Sequence, residues 1–226
     1  MLSDAFDGKR FFAAASFLSA ALTLLLVLTA APASGPPADV LSYFMAHRSR
    51  LVTLAVVVLS WAIVSVLHVI AIGRLAAANR PMLAIAGAAL SSGGILLLGF
   101  GTFIYVGSFF SIAAASQAAR DPTQGNFHAL VWWNLSFMLS DPGLMTLGAG
   151  QAILGCLAWK ASALPRYTGA IGVGGGLAGL LTLAVYQTPV LAIVQLLAFG
   201  AVAAIAGIAL SREKEAPIAR RDNNTP

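Results

Sequence analysis

Residues 51–73 read LVTLAVVVLSWAIVSVLHVIAIG. Twenty-three residues pass without an Asp, Glu, Lys or Arg, and the run is bounded by Arg48 and Arg50 on one side and Arg74 on the other. As a helix rising about 1.5 Å per residue it is ~35 Å long, enough to cross the ~30 Å hydrocarbon layer of a bilayer. Trp61, Ser65, His68 and Ile72 follow helical spacing and share one face. A charge-free run of this length decides the class of fold, because a bilayer leaves helices or closed barrels as the only ways to satisfy the backbone.

The same pattern recurs along the chain. Charge-free runs lie at Phe11–Ala31, Met82–Val106, Pro142–Lys160 (closed by Lys160), Thr168–Tyr186 and Val190–Leu210. The chain of 226 residues is therefore read as all-α: a polytopic bundle of six transmembrane helices spanning 1–210, with a flexible cytoplasmic tail at 211–226. Composition agrees. Charged residues make up 9% of the chain, against about 25% in a soluble domain, and the mean hydropathy is +0.87.

The basic residues fix an orientation. With six crossings and the N-terminus inside, Lys9, Arg10, Arg74, Arg80, Lys160, Arg166, Arg212, Lys214, Arg220 and Arg221 fall in the cytoplasm, and Arg48, Arg50 and Arg120 fall outside. Ten against three follows the positive-inside rule and puts both termini in the cytoplasm of a plasma or inner membrane. The net charge of +5 is explained by these loop ends. The basic residues form no clustered face, so nucleic acid is not expected as a partner; the partners implied are membrane lipid and a membrane-protein partner or second copy.

Local signals set the boundaries. Arg80-Pro81, Pro165-Arg166 and Gln187-Thr188-Pro189 break the chain between runs, and Ser140-Asp141-Pro142-Gly143 reads as a helix start. Before it, Phe127–Leu139 is aromatic and apolar but too short to span, and its His128, Trp132 and Trp133 suit an interfacial or re-entrant segment. A seventh span would require Asp141-Pro142 to lie inside one long helix. The third run continues apolar to Ala119 and can project beyond the bilayer. The first run, followed by Ala31-Pro32-Ala33-Ser34-Gly35, also resembles a signal peptide, but it exceeds the usual 7–15-residue apolar region and is read as an uncleaved span.

Few residues carry chemistry. Gly174-Gly175-Gly176-Leu177-Ala178-Gly179 matches GxGxxG formally, but no strand precedes it and it lies in an apolar run; Gly172–Gly176 and Gly175–Gly179 are better read as close-packing GxxxG pairs. The single cysteine, Cys156, allows no intramolecular disulfide. No GxSxG, HExxH or P-loop is present, no acids are paired for acid–base work, and no cofactor or metal set is assigned. The polar residues inside the runs, His68, Gln151, Gln195, Thr102 and Tyr105, form the candidate intramembrane site. The chain is thus expected to be a non-enzymatic scaffold, sensor or regulator. The alternatives are a carrier of a small or apolar solute, which needs a continuous cavity touching His68 and Gln151, and a haem- or quinone-linked oxidoreductase, for which His47 and His128 lie outside the spans.

Leu164-Pro165-Arg166-Tyr167 before the glycine-rich fifth run, with the Arg-ended sixth run Val190–Arg212, resembles a family of six-span bacterial inner-membrane proteins of unknown function. The resemblance covers the last third of the chain and the span layout. Thr168 stands where that family usually has an aromatic, and a tryptophan often seen in its last span is missing. The resemblance implies a fold and a location, and no catalytic residue.

Overall fold

Proline marks the start of four of the six described helices. In the computed structural model, which describes residues 8–29, 46–77, 80–119, 122–182 and 189–212, every element among the described residues is an α-helix. They are α1 (Gly8–Thr29), α2 (Arg48–Ala76), α3 (Pro81–Ala119), α4 (Pro122–Lys160), α5 (Arg166–Leu181) and α6 (Pro189–Arg212). Pro81, Pro122 and Pro189 are first residues, where the missing N–H costs nothing because that group has no intrahelical acceptor. Pro165 immediately precedes α5 with φ −58° and ψ 140°. By length and composition four helices suffice to cross a membrane: Gly8–Thr29, Arg48–Ala76, Pro81–Ser108 and Val190–Arg212. The chain fits a multi-pass membrane protein on that ground.

Each helix packs against its neighbours in sequence, and α6 closes back onto α1, so the six form a ring. Neighbours run antiparallel, as paired approaches show. Gly99 faces Ala62 while Gly73 faces Ala88 between α3 and α2; Gly87 faces Leu154 while Gly101 faces Ser140 between α3 and α4. Gly200 meets Thr23 and Gly207 meets Phe17 between α6 and α1. The even-numbered helices also touch across the middle. Antiparallel alternation gathers Lys9, Arg10, Arg74, Arg80, Lys160, Arg166 and Arg212 at one end of the bundle, with Arg48 and Arg50 at the other. At the basic end the Arg74 guanidinium lies 5.0 Å from the centroid of the Phe12 ring. At the other end Arg48 lies 5.1 Å from that of Phe110, and Arg50 donates to Thr29 O at 3.1 Å.

The structure corrects one boundary. Ser140-Asp141-Pro142-Gly143 does not begin a helix: α4 runs from Pro122 through Pro142 to Lys160, so 127–139 is helical and continuous with the run that follows. An internal proline removes one hydrogen bond and crowds the carbonyl four residues back, at about 3 kcal/mol. Close packing along α3 on both sides of Pro142 offsets this: Gly101 sits against Ser136, Leu139 and Ser140, and Gly94 against Gly143 and Leu147. Pro142 itself is exposed. The third run continues to Ala119 as the sequence allows. At 39 residues each, α3 and α4 are ~58 Å long, longer than the ~40–45 Å of bilayer plus headgroups. The paired helices therefore outreach their neighbours at the end away from Lys160. The end of the fifth run, the segment after the first run and the tail from 213 lie outside the described residues.

Two glycine faces explain α5. Gly169, Gly172 and Gly176 face α4, against Trp159, Gly155 and Ala152, while Gly175 and Gly179 face α6, against Ala198 and Gln195. The two GxxxG pairs of the sequence thus face different partners, Gly172–Gly176 toward α4 and Gly175–Gly179 toward α6. Gly174 meets nothing within 4 Å and is exposed.

Candidate functional site

Helical spacing places Ser16, Ser19 and Thr23 on one face of α1 and Trp61, Ser65 and His68 on one face of α2. The antiparallel pair brings them into register. Trp61 Nε1 donates to Thr23 Oγ1 at 2.8 Å, Ser19 Oγ and Ser65 Oγ are 2.8 Å apart, and Ser16 Oγ is 3.1 Å from His68 Nδ1. Thr23 Oγ1 in turn donates to Ser19 O at 2.7 Å. All six side chains are at most 1% exposed. Phe199 of α6 stands edge-on to both rings, 5.9 Å from Trp61 and 5.3 Å from His68 between centroids. His68 is thus held by its hydrogen bond with Ser16 of the neighbouring helix α1.

The far side of this ladder borders a cavity in the half of the bundle nearer the basic end. His68, Val69 and Ile72 of α2, Ser91 of α3, Gln151, Leu154, Gly155 and Ala158 of α4, Thr168 and Gly172 of α5, and Phe199 and Val202 of α6 line it. Five of the six helices contribute, and α1 reaches it only through the Ser16–His68 contact. The space open to the centre of a water molecule is about 20 Å³, more than the ~10–15 Å³ that a single water requires. Further from the basic end, Trp61, Ile95 and Leu147, each 0% exposed, belong to one buried apolar cluster.

Ser91 Oγ, both amide atoms of Gln151 and Thr168 Oγ1 are buried without a hydrogen-bond partner. These three residues lie on α3, α4 and α5 and all border the cavity. Buried polar groups are nearly always paired, so these orphans set this part of the bundle apart; the wall that the cavity itself presents is almost wholly carbon.

The sequence-derived set divides. His68 and Gln151 come together at the cavity. Gln195 is buried elsewhere: its Nε2 donates to Leu144 O at 2.8 Å, tying α6 to α4. Thr102 is half-buried and its hydroxyl returns to Leu98 O of its own helix at 3.0 Å. The side chain of Tyr105 lies outside the described residues. Sequence reasoning missed Ser91 and Thr168 as site residues. The spacing of Ser16, Ser19 and Thr23, matched to Trp61, Ser65 and His68, was a signal for the ladder.

The two glutamines should respond oppositely to removal of the amide. Gln195→Leu loses an interhelical bond, worth about 0.6–1.7 kcal/mol by membrane double-mutant cycles. Gln151→Leu removes a partnerless buried amide and should leave stability unchanged or raise it. Thermal unfolding of the two variants in detergent checks this; a Gln151→Leu loss as large as that of Gln195→Leu would assign Gln151 a structural role.

No family model, curated protein or solved structure matches the chain.

Proposed function

We propose that the chain is a six-span protein of the plasma or inner membrane, with both termini cytoplasmic, that carries a small uncharged solute through its central cavity. The observation behind this is the cavity bordered by His68 and Gln151, with Ser91, Gln151 and Thr168 unpartnered around it. The scaffold reading calls for no cavity at His68 and Gln151, whereas the carrier reading calls for one there. The positive-inside rule places the basic end, and so the cavity's half of the bundle, toward the cytoplasm. On this reading Trp61, Ile95 and Leu147 close the route on the outer side, and transport requires them to part.

The lining holds no Asp, Glu, Lys or Arg. A desolvated ion would lack a counter-charge there, which favours neutral solutes. The test is flux into liposomes containing the purified full-length protein, followed by light scattering after an osmotic step of acetamide or of equimolar sodium acetate. The expected result is acetamide entry several-fold above protein-free liposomes and no gain for acetate. Acetamide entry equal to that of protein-free liposomes would rule out carriage.

A further inference from the structure

The Leu164-Pro165-Arg166-Tyr167 stretch and the exposed Gly174 have no part in the cavity, yet the fold brings them to one outer corner of the bundle. Leu164 is buried in the apolar core and anchors the link between α4 and α5. α5 begins directly after Pro165, and Gly169 lies against the backbone of Trp159, so the two helix ends meet at one level. Trp159, Lys160, Arg166 and Tyr167 therefore stand together at the basic end, all exposed, Trp159 by 50% and Tyr167 by 58%. Ala170, Gly174 and Leu177 continue the face of Tyr167 at helical spacing and are exposed too. Nothing lies within 4 Å of a Cβ at Gly174, so the face is shallow between Tyr167 and Leu177.

No carboxylate balances this charge nearby. Asp141 is the one acid among the described residues, and it lies roughly 28 Å along α4 from Lys160. With both termini counted, the cytoplasmic set still holds ten basic residues against five acids, Asp4, Asp7, Glu213, Glu215 and Asp222. Trp and Tyr side chains favour the headgroup level of a bilayer, and basic pockets between helices on the cytoplasmic side hold anionic headgroups.

We propose that this corner of α4 and α5 binds an anionic phospholipid of the cytoplasmic leaflet. Lys160 and Arg166 hold its phosphate, Trp159 and Tyr167 flank the glycerol region, and one acyl chain lies over Ala170 and Gly174 toward Leu177. A zwitterionic lipid brings an ammonium that no carboxylate at this corner can pair. The site requires α4 and α5 to cross the membrane, as in the six-span reading, and is independent of carriage.

Native mass spectrometry of the full-length protein in detergent counts bound lipid during titration with phosphatidylglycerol or phosphatidylcholine of identical chains. One cation near the surface favours an anionic headgroup about fivefold, so the pair should favour phosphatidylglycerol at least about tenfold. Lys160→Gln or Arg166→Gln should each lower that affinity about fivefold, whereas Arg80→Gln, at the same end on α3, should change it less than about twofold. Gly174→Val should weaken binding of both lipids by filling the shallow face, in a variant whose packing is otherwise undisturbed. Equal binding of the two lipids, or a loss for Arg80→Gln as large as for Arg166→Gln, would overturn the proposal and leave only a general positive surface. Displacement of phosphatidylglycerol by equimolar glycerol 3-phosphate would also overturn it, assigning the cations to a soluble phosphate. Selective lipid binding with acetamide flux equal to the protein-free control would keep this site and remove the carrier; acetamide flux with equal lipid binding would do the reverse.

Discussion

Gly176→Val is expected to destabilise the protein by about 3 kcal/mol, at the upper end of the usual cost of overpacking. A Cβ at Gly176 would lie 2.6 Å from both Ala152 N and Gly148 O. Those are backbone atoms of α4, and no side-chain rotation can relieve the overlap; the helices must separate. Gly155→Val meets the same seam from the other side, with its Cβ 2.6 Å from Val173 N. By the scaling for chains of 150–250 residues, such a loss lowers the unfolding midpoint by roughly 6–12 °C. Gly174→Val is the control: nothing lies within 4 Å of its Cβ position, so it should stay close to the unaltered chain. Equal midpoints for Gly174→Val and Gly176→Val would show that α4 and α5 do not meet along this seam.

Trp61→Ala is expected to cost about 3–5 kcal/mol, the range for deleting a buried aromatic side chain. Trp61 is 0% exposed, packs edge-on against Phe199 and bonds Thr23. Trp61→Phe separates the two contributions. It keeps most of the packing, leaves Thr23 its bond to Ser19 O, and should cost only about 1 kcal/mol. Unfolding of purified protein in mixed micelles measures both. Similar losses for the two substitutions would mean that the hydrogen bond, and not the filled centre, carries the effect.

The fold was legible where the sequence repeats one physical demand. Charge-free runs of bilayer length placed the helices, and prolines at 81, 165 and 189 marked where three of them begin. The face shared by Trp61, Ser65, His68 and Ile72 follows from helical period alone, and all four are buried. Gln151 and Gln195 turn inward for the reason the sequence supplies, that an amide facing lipid is costly. Pro142 misled because Asp-Pro is a strong helix start in isolation. What keeps the helix intact there is the glycine-lined approach of α3, a long-range contact that no local pattern encodes. Ser91 and Thr168 were hidden for a related reason. A hydroxyl in an apolar helix ordinarily bonds back to its own turn, as Thr102 does to Leu98. Only the assembled helices distinguish a hydroxyl that has done so from one left buried without a partner.

The account centres on six crossings that form a ring, two more than length and apolar composition establish for the described helices. Ser162, exposed in the link between α4 and α5, separates the possibilities. With six crossings and a cytoplasmic N-terminus it faces the cytoplasm; with only α1, α2, α3 and α6 crossing it faces outward. The direct measurement is labelling of Ser162→Cys by a membrane-impermeant maleimide in spheroplasts, in a Cys156→Ala background, with Ser49→Cys as the outward-facing reference. The six-helix ring predicts that Ser162→Cys reacts only after the membrane is permeabilised, while Ser49→Cys reacts at once. Labelling of Ser162→Cys in intact spheroplasts would contradict it.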